Sequence, residues 1–560
     1  MNFRNLLRSL FGALAFIAMV GCAKSDSGLP SAPPDAAALS PDTTLRVHWL
    51  GKRRMELRMG SYYLMRLWQL PASDSLQNRT LARLAAAPAG WLETPPQRAQ
   101  IANELLARAL KDVVLEECYL EVRQPANQPA ALAVAVHLDL DRVGNWETNL
   151  ANIVGLLAGE WPKPLTNSVR GWSLHRPQSS QLLQFQRVND WAVFGAGAET
   201  NAVFSETCDR IRKYRDPFAA MTSTNWLEAD LAPSRLADAF SFSARGAGGE
   251  VRGEVGAKIV SSLSHVSLAV SGDGANILTS ARLTFPRPLQ LEGGPWTIPT
   301  DLIPEPLDSF TAVRGVRPWL SSLKIADEPA FATAPDQVYF WSLPGKDSQA
   351  YFAAPLPDAR DQVNHLTEHL LAKANPWLAT NGYVQFARLP DGNGVSWGTM
   401  PTIRPFLRFA NTTSGGAVFG GLLPDTTPGT NTLDNIYQRP SRARLFEAAM
   451  APTNLVYYDW ELTPTRVEPC FYIGQVARVV SRHAQLPADA PSLAWLRTVQ
   501  PRLGTSTTII TCTGTNQLSF SRKSSLGFTG AELQLLADWV ESPQFPAGLY
   551  SLLTPPPTRP

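Results

Sequence analysis

His137, Asp139 and Asp141 alternate with apolar residues in the stretch 136–141. Ligands at positions i and i+2 of a strand share one face and can reach one metal ion. An antiparallel sheet with one face in water shows the same alternation without binding a metal. We expect this second explanation to hold, on a strand that covers 131–140.

A second candidate for metal chemistry is the stretch His365-Leu-Thr-Glu368-His369. It resembles the HxxEH motif of the inverted zinc metalloproteases, and the resemblance covers these five residues only. In that family the two histidines bind zinc, the glutamate acts as base, and a downstream helix supplies one more glutamate ligand. The resemblance therefore implies His365 and His369 as ligands and Glu368 as base, with Glu447 in a position to complete the site.

The helical geometry around this motif favours a different prediction. Val363, Leu366 and Leu370 form the apolar stripe of the helix at 100° per residue. On this reckoning both histidines point away from the stripe into water, where no pocket holds a substrate. We therefore predict a solvated helix face and no cofactor.

Two short patterns resemble motifs of serine enzymes. Gly394–Gly398 (GVSWG) matches the GxSxG nucleophile elbow of the α/β-hydrolases, in which a strand and a tight turn lead into a helix. Pro401 prevents such a helix, so the stretch around Ser396 predicts a turn that enters a strand. Ser321–Lys324 (SSLK) matches the SxxK motif of the penicillin-binding proteins, but no Lys-Thr-Gly or Lys-Ser-Gly partner accompanies it. We predict no catalytic residue from either pattern.

Aromatic rings on a sheet allow one binding function, because they can stack on sugars. Five tryptophans lie in or beside predicted strands, namely Trp172, Trp191, Trp341, Trp397 and Trp460. Aromatic residues more often belong to a core. Carbohydrate binding is therefore the weaker expectation.

Cysteine usage excludes the common thiolate zinc sites. Besides Cys22 the chain has Cys118, Cys208, Cys470 and Cys512, and none forms a CxxC pair. Two fall in each half of the chain, which suggests the disulfides Cys118–Cys208 and Cys470–Cys512. The alternative is four buried free thiols.

The first 22 residues have the layout of an export signal. Arg4 and Arg8 precede the apolar run Leu10–Val20, which is too short to span a bilayer, and Met19–Cys22 closes it with a small residue before the cysteine. This ending resembles the lipobox of bacterial lipoproteins, and the resemblance implies that Cys22 becomes the lipid-bearing first residue. The absence of Asp after Cys22 favours the outer membrane. We expect no membrane-spanning segment elsewhere.

Charge balance argues against nucleic acid as a partner. Removal of residues 1–22 takes away two arginines and no acid, which leaves 48 basic and 48 acidic residues. Phosphate binding needs a basic surplus or patch, and the mature chain has no surplus. The full sequence of 560 residues is long enough for several domains.

The order of predicted elements indicates an α+β fold with two similar units of antiparallel sheet and covering helices. Asn189–Asp190 predicts a hairpin turn, Thr529 and Glu532 predict a capping box at the start of the last helix, and Pro88 predicts a break in a helix. Thr224–Arg235 and Thr453–Arg466 are the most similar stretches, each a strand followed by Leu-x-Pro-x-Arg. The predicted segments are a signal (1–22), a Pro/Ser/Ala tether (23–44), a small helical segment (45–115), unit 1 (116–290), a Pro-rich connector (291–335), unit 2 (336–530) and a C-terminal helix and tail (531–560).

From these features we expect an exported protein, held at the bacterial cell envelope by its N-terminal lipid, with a non-catalytic role. Its partner would be the membrane and an unidentified protein or amphiphilic ligand. The alternative class is an envelope hydrolase, zinc-dependent through the HxxEH stretch or of the serine type.

Overall fold

Two large antiparallel sheets organise the chain. The computed structural model describes residues 42–546 except 125–129, 166–169, 177–180, 199–201, 218–224, 236–261, 292–293, 322–323, 326–327, 330–332, 346–348, 381, 399–402, 424–438, 451–453, 481–486, 488 and 544. The predicted α+β class is confirmed, with thirteen α-helices among the described residues. The predicted signal and most of the tether lie outside them.

The first sheet has nine strands in the order β4-β5-β6-β7-β3-β2-β1-β8-β9. Their bounds are β1 (Thr43–Trp49), β2 (Cys118–Arg123), β3 (Ala131–His137), β4 (Lys163–Pro164), β5 (Gly171–Arg176), β6 (Gln181–Val188), β7 (Trp191–Ala198), β8 (Leu227–Leu231) and β9 (His265–Gly272). The predicted hairpin at Asn189–Asp190 joins β6 to β7.

Helices cover both faces of the first sheet. They are α1 (Lys52–Glu56), α2 (Tyr62–Trp68), α3 (Pro71–Trp91), α4 (Pro96–Leu115), α5 (Leu140–Ala158) and α6 (Val203–Tyr214). One face packs side chains such as Leu120 and Val134 against α1–α5. The other face packs Tyr119 and Val193 against α6. Because both faces are covered, β2 is buried along its whole length.

The second sheet has eleven strands in the order β10-β22-β21-β20-β11-β14-β15-β19-β18-β17-β16. Their bounds are β10 (Ile277–Thr284), β11 (Ser309–Arg314), β14 (Gln337–Ser342), β15 (Ala350–Pro355), β16 (Phe386–Arg388), β17 (Gly394–Trp397), β18 (Phe406–Thr412), β19 (Gly415–Gly421), β20 (Leu455–Leu462), β21 (Thr505–Gly514) and β22 (Gln517–Ser524). A two-stranded hairpin, β12 (Lys324–Ile325) with β13 (Glu328–Pro329), stands apart.

The helices of the second part are α7 (Arg317–Ser321), α8 (Ala359–His369), α9 (Asn375–Thr380), α10 (Arg442–Met450), α11 (Thr463–Val480), α12 (Pro491–Val499) and α13 (Gly530–Glu541). Helix α10 covers a face rich in aromatic residues, where Trp341 and Phe419 stack with ring centroids 5.8 Å apart. Helix α8 packs through Val363 on the opposite face. The predicted capping box of Thr529 and Glu532 at the start of α13 is confirmed.

The two sheets are connected through β9 and β10. The backbone N–H of Ser264 donates to the carbonyl of Thr284 at 2.9 Å, and that of Asp273 donates to Asn276 at 3.1 Å. Strand β10 then pairs with β22 over eight residues, from Ile277 opposite Ser524 to Thr284 opposite Gln517.

The predicted segment boundaries differ from the observed architecture in two places. The segment 45–115 is not separate, because β1 lies between β2 and β8 inside the first sheet. The connector 291–335 contains β11, which pairs with β14 and β20 inside the second sheet. Both strands pair with partners far along the chain, so local composition does not reveal their central position.

Candidate functional site

Two carboxylates lie side by side in the middle of the second sheet. Asp459 and Glu461 are two residues apart on β20 and therefore point to the same face. Both are buried. The residues opposite them on β11 and β21 are all hydroxyl residues: Thr311, Thr508, Ser309 and Ser506. The result is a polar patch under a covered face of the sheet.

At least one oxygen of each carboxylate accepts a hydrogen bond. The hydroxyl of Thr311 donates to Oδ1 of Asp459 at 2.6 Å. The backbone N–H of Gly530, the first residue of α13, donates to Oε1 of Glu461 at 2.8 Å. The patch is therefore sealed by the N-terminus of a helix that follows about seventy residues later in the chain.

Two arginines stand over the same patch. Arg522 donates from Nη1 and Nη2 to the carboxylate of Glu532 at 2.6 and 2.9 Å, and from Nε to Thr508 at 2.9 Å. Arg466, in the first turn of α11, has a buried Nε without a hydrogen-bond partner among the described residues. The negative field of Glu461 and Asp459 acts on Arg466.

Burial controls the protonation of this cluster. It raises the pKa of Glu461 to about 7, and the neighbouring Asp459 contributes to that rise while Arg466 opposes it. Burial likewise raises the pKa of Asp459, against the hydrogen bond from Thr311 and the charge of Arg522. Glu461 can therefore exchange a proton near neutral pH.

A small pocket lies beside Arg466. Its polar lining comes from Asp308, Ser342, Gln349, Thr465 and Arg466, and it has room for about one water molecule. Asp308 is held by Arg439, whose Nε and Nη2 donate to Oδ1 at 2.9 and 2.7 Å. The arrangement can hold a proton and about one water molecule.

A second buried charge cluster lies in the first sheet. Glu121 accepts from Nε of Arg123 at 2.6 Å and from Nη2 of Arg210 at 2.7 Å, and it also accepts from the hydroxyl of Tyr119. Burial alone would raise the pKa of Glu121, but Arg210, Tyr119 and Arg123 outweigh burial and lower it. This carboxylate stays ionised and is held by its partners.

The structure brings the two histidines of the HxxEH stretch together but not Glu447. The ring centroids of His365 and His369 are 5.4 Å apart on α8. Glu447 lies on α10, which covers the opposite face of the sheet. Glu368 is exposed and pairs with Arg388.

The predicted exposure is wrong for His369, which is 8% exposed, whereas His365 is exposed. His369 follows Leu366 by three residues, so it shares the flank of the buried stripe. In the described part of the chain, no group of three or more His, Cys, Asp or Glu side chains could hold a metal ion.

His137, Asp139 and Asp141 do not share a strand face. Strand β3 ends at His137, Asp139 is the N-terminal flanking residue of α5, and Asp141 lies in the first turn of that helix. The strand that we predicted over 131–140 is therefore wrong at its end. His137 instead pairs with Asp190 at 2.7 Å and contacts the ring of Trp191 edge-on.

The two serine motifs lie in a strand and at the end of a short helix. Ser396 is in the extended strand β17 and pairs across to Ala387 and Phe406, so the predicted turn into a strand is confirmed. Ser321 ends the short helix α7 and Lys324 lies in β12.

Four of the five selected tryptophans belong to the core. Trp172, Trp191, Trp341 and Trp460 are buried, and Trp397 is half-buried. The sequence analysis missed Trp377, which is 60% exposed.

The four cysteines of the described part are free thiols, so neither predicted disulfide forms. Cys118 and Cys208 belong to clusters on opposite faces of the first sheet. Cys470 lies inside α11, which begins directly after Leu462. Leu462 pairs with Thr505 on β21, and Cys512 lies seven residues further along that strand. The two thiols therefore lie on different elements.

Sequence reasoning also missed Asp459, Glu461 and Arg466. The stretch Tyr457-Tyr-Asp-Trp-Glu461 alternates polar and aromatic residues, which is typical of a strand with one face in water. The pattern Leu-x-Pro-x-Arg that comes after this stretch could have indicated the site, because it predicts a helix directly after the strand.

No protein-family model matches the chain, and neither a curated protein nor a solved structure does. In the part of the chain that the structure describes, no helix combines the length and apolar character needed to cross a membrane.

Proposed function

We propose that this chain is a lipid-anchored protein of the bacterial cell envelope with a non-catalytic body that binds a protein or an amphiphilic ligand. The observation that carries the proposal is the inward placement of its reactive groups. The carboxylates and arginines that could take part in acid–base chemistry lie around Glu121 and Glu461. They are covered by helices and largely neutralise one another. The pocket beside Arg466 has space for about one water molecule.

We further propose that the body consists of two copies of one ten-strand unit. The order β4-β5-β6-β7-β3-β2-β1-β8-β9, extended by β10, corresponds strand for strand to β16-β17-β18-β19-β15-β14-β11-β20-β21-β22. Helices α5 and α8 follow the corresponding strands β3 and β15, and α6 and α10 follow β7 and β19. The similar stretches that contain β8 and β20 occupy corresponding places.

Local details support the same correspondence. Gly171 and Gly394 begin the corresponding strands β5 and β17, and a Cβ at either position would clash with a carbonyl oxygen of the next strand. In the β10–β22 pair, the first residue of each strand lies opposite the last residue of the other. This is the arrangement that a twofold axis between two equal units produces.

The anchor is tested at Cys22. We expect Cys22→Ser to abolish incorporation of labelled palmitate and to move the protein from the membrane fraction to the soluble fraction, because a thiol is needed to carry the lipid. Cys512→Ser is the matched control and should leave both unchanged. Incorporation of labelled palmitate into the Cys22→Ser chain would refute the lipid anchor.

A second candidate function, glycan binding, is favoured by an aromatic pair formed by the exposed Trp377 and the half-buried Tyr383. Trp377 stacks on Tyr383 with ring centroids 5.7 Å apart and an interplanar angle of 22°. Asn375 fixes this region, because its side chain donates to Phe386 O at 3.0 Å and accepts from Phe386 N at 2.7 Å. A rigid aromatic pair at a sheet edge is suited to stack on a sugar ring.

The glycan hypothesis predicts that Trp377→Ala weakens binding to soluble cell-wall glycan fragments about tenfold, the loss expected for one aromatic contact. Trp319→Ala is the control, since Trp319 is 54% exposed on α7. Titrations followed by tryptophan fluorescence measure both. Equal affinities for the two variants would exclude this site.

A further inference from the structure

Leu57, Met59 and Tyr62 form an apolar protrusion beside the first sheet. Their exposed fractions are 87%, 91% and 62%, the three highest among the large hydrophobic residues of the described part. Single exposed apolar side chains are ordinary, but a cluster of them marks an interaction site. All three fall within six consecutive residues, between the end of α1 and the start of α2.

The apolar protrusion is held in place by the tip of the β9–β10 hairpin. The N–H of Gly274 donates to Gly60 O at 2.8 Å, and the N–H of Tyr63 donates to Gly274 O at 3.1 Å. A Cβ on Gly60 would lie 2.6 Å from the carbonyl oxygen of Gly272, so glycine permits the close contact. The exposed side chains are thus presented by a fixed backbone, which reduces the entropy lost on binding.

Basic residues outnumber acidic ones in the segment that carries the apolar protrusion and among its electrostatic neighbours. Arg53 and Arg54 pair with Glu116 and Glu117 at 2.7 and 2.5 Å, and each is about half exposed. The segment 52–66 and its electrostatic neighbours contain seven basic groups, namely Lys52, Arg53, Arg54, Arg58, Arg66, Lys111 and Lys523. The acidic groups are Glu56, Asp74, Glu116, Glu117 and Asp273. The surface therefore carries an excess of two positive charges.

We propose that the apolar protrusion and its basic surroundings dock on the anionic surface of the bilayer that holds the lipid anchor. Apolar side chains enter the boundary between headgroups and acyl chains, while arginines contact the lipid phosphates. The inference rests on the proposed anchor at Cys22, because the anchor keeps a weak contact at high effective concentration.

Chain length permits this contact. Nineteen residues separate Cys22 from Asp42, which at about 3.1 Å per residue span up to about 60 Å when extended. Strand β1 then carries the chain about 20 Å toward Gly51, just before the protrusion. The tether is therefore long enough for the protrusion to touch the bilayer while the anchor is inserted.

The test uses the full chain, expressed with its own leader, purified from membranes and reconstituted in vesicles of phosphatidylethanolamine and phosphatidylglycerol. Met59→Cys carries a fluorophore, in a background with Cys470→Ser and Cys512→Ser. Val384→Cys is the matched control, since Val384 is 52% exposed beside β16, the far edge strand of the second sheet. The ten strand spacings from β10 to β16 place it about 48 Å away.

We expect nitroxide-bearing lipid to quench the label at position 59 and not the label at position 384. The docked-to-undocked ratio should fall about fivefold for each of Arg58→Gln and Arg66→Gln, and quenching should weaken in neutral phosphatidylcholine. Equal lipid quenching at positions 59 and 384 would overturn the proposal. Protection of position 59 from a water-soluble quencher without lipid quenching would also overturn it, because a second copy of the chain would then be the occupant. Palmitate labelling of the Cys22→Ser chain reports the anchor and does not depend on docking, so the two proposals fail separately.

Discussion

Replacing Glu121 with alanine is expected to lower the free energy of unfolding by about 3–5 kcal/mol, the cost of removing one partner of a buried ion pair. Glu121 accepts from Arg123 and Arg210 at 2.6 and 2.7 Å, and both arginines are mostly buried. Without the carboxylate, Arg123 and Arg210 each lose one acceptor and the buried hydroxyl of Tyr119 loses the acceptor of its hydrogen bond.

Urea unfolding at pH 7 measures the Glu121 effect, with Glu206→Ala as the control. Glu206 is 48% exposed and pairs with the same Arg123 at 2.7 Å, so its loss should cost no more than about 1 kcal/mol. Because the pKa of Glu121 is lowered in the folded state, its contribution is present above the unfolded pKa of 4.5 and is lost as the pH falls below it. Equal costs for the two variants would contradict the buried network.

Glu461→Gln is expected to stabilise the protein by about 3 kcal/mol at pH 8 and by no more than about 1 kcal/mol at pH 5. Burial raises the pKa of Glu461 from 4.5 to about 7 in the folded state. Between these values the folded chain holds a proton that the unfolded chain releases. The free energy of unfolding therefore falls as the pH rises from the unfolded to the folded pKa, by about 1.4 kcal/mol for each step of one in pH.

The measurement is the free energy of unfolding from pH 5 to pH 8 for wild type and for Glu461→Gln. The amide oxygen can still accept from Gly530 N, so the substitution removes the charge and keeps the hydrogen bond. Glu121→Gln is the control, because a lowered pKa keeps Glu121 from titrating in this range. The prediction fails if wild type and Glu461→Gln show the same pH dependence.

Local patterns in the sequence predict individual elements well. The hairpin at Asn189–Asp190 and the capping box of Thr529 and Glu532 depend on neighbouring residues only, and both form as expected. By contrast, the sequence predicts a helix break at Pro88, whereas Pro88 lies inside α3. Packing of α3 against the core around Leu84 and Ala85 outweighs the lost backbone hydrogen bond.

The candidate site could not be predicted because distant segments build it. Asp459 and Glu461 look like water-facing residues in the strand pattern, and the helix that covers them begins at Gly530. Similarly, Ser309–Arg314 lies in a proline-rich stretch, yet it becomes the centre of the second sheet through pairing with β14 and β20. Such long-range pairing leaves no trace in local composition.

The pairing of β10 with β22 also bears on how such a chain could arise. In the proposed duplication each strand is the last of its ten-strand unit, and an unpaired strand edge is a template for another chain. On the proposed duplication, an ancestor with one unit would have protected this edge by forming a symmetric dimer. Fusion through 285–308 would have made the contact intramolecular and freed the halves to diverge. On the same proposal, one half would then have acquired the tightly held Glu121, and the other the carboxylate of Glu461, whose pKa burial raises to about 7.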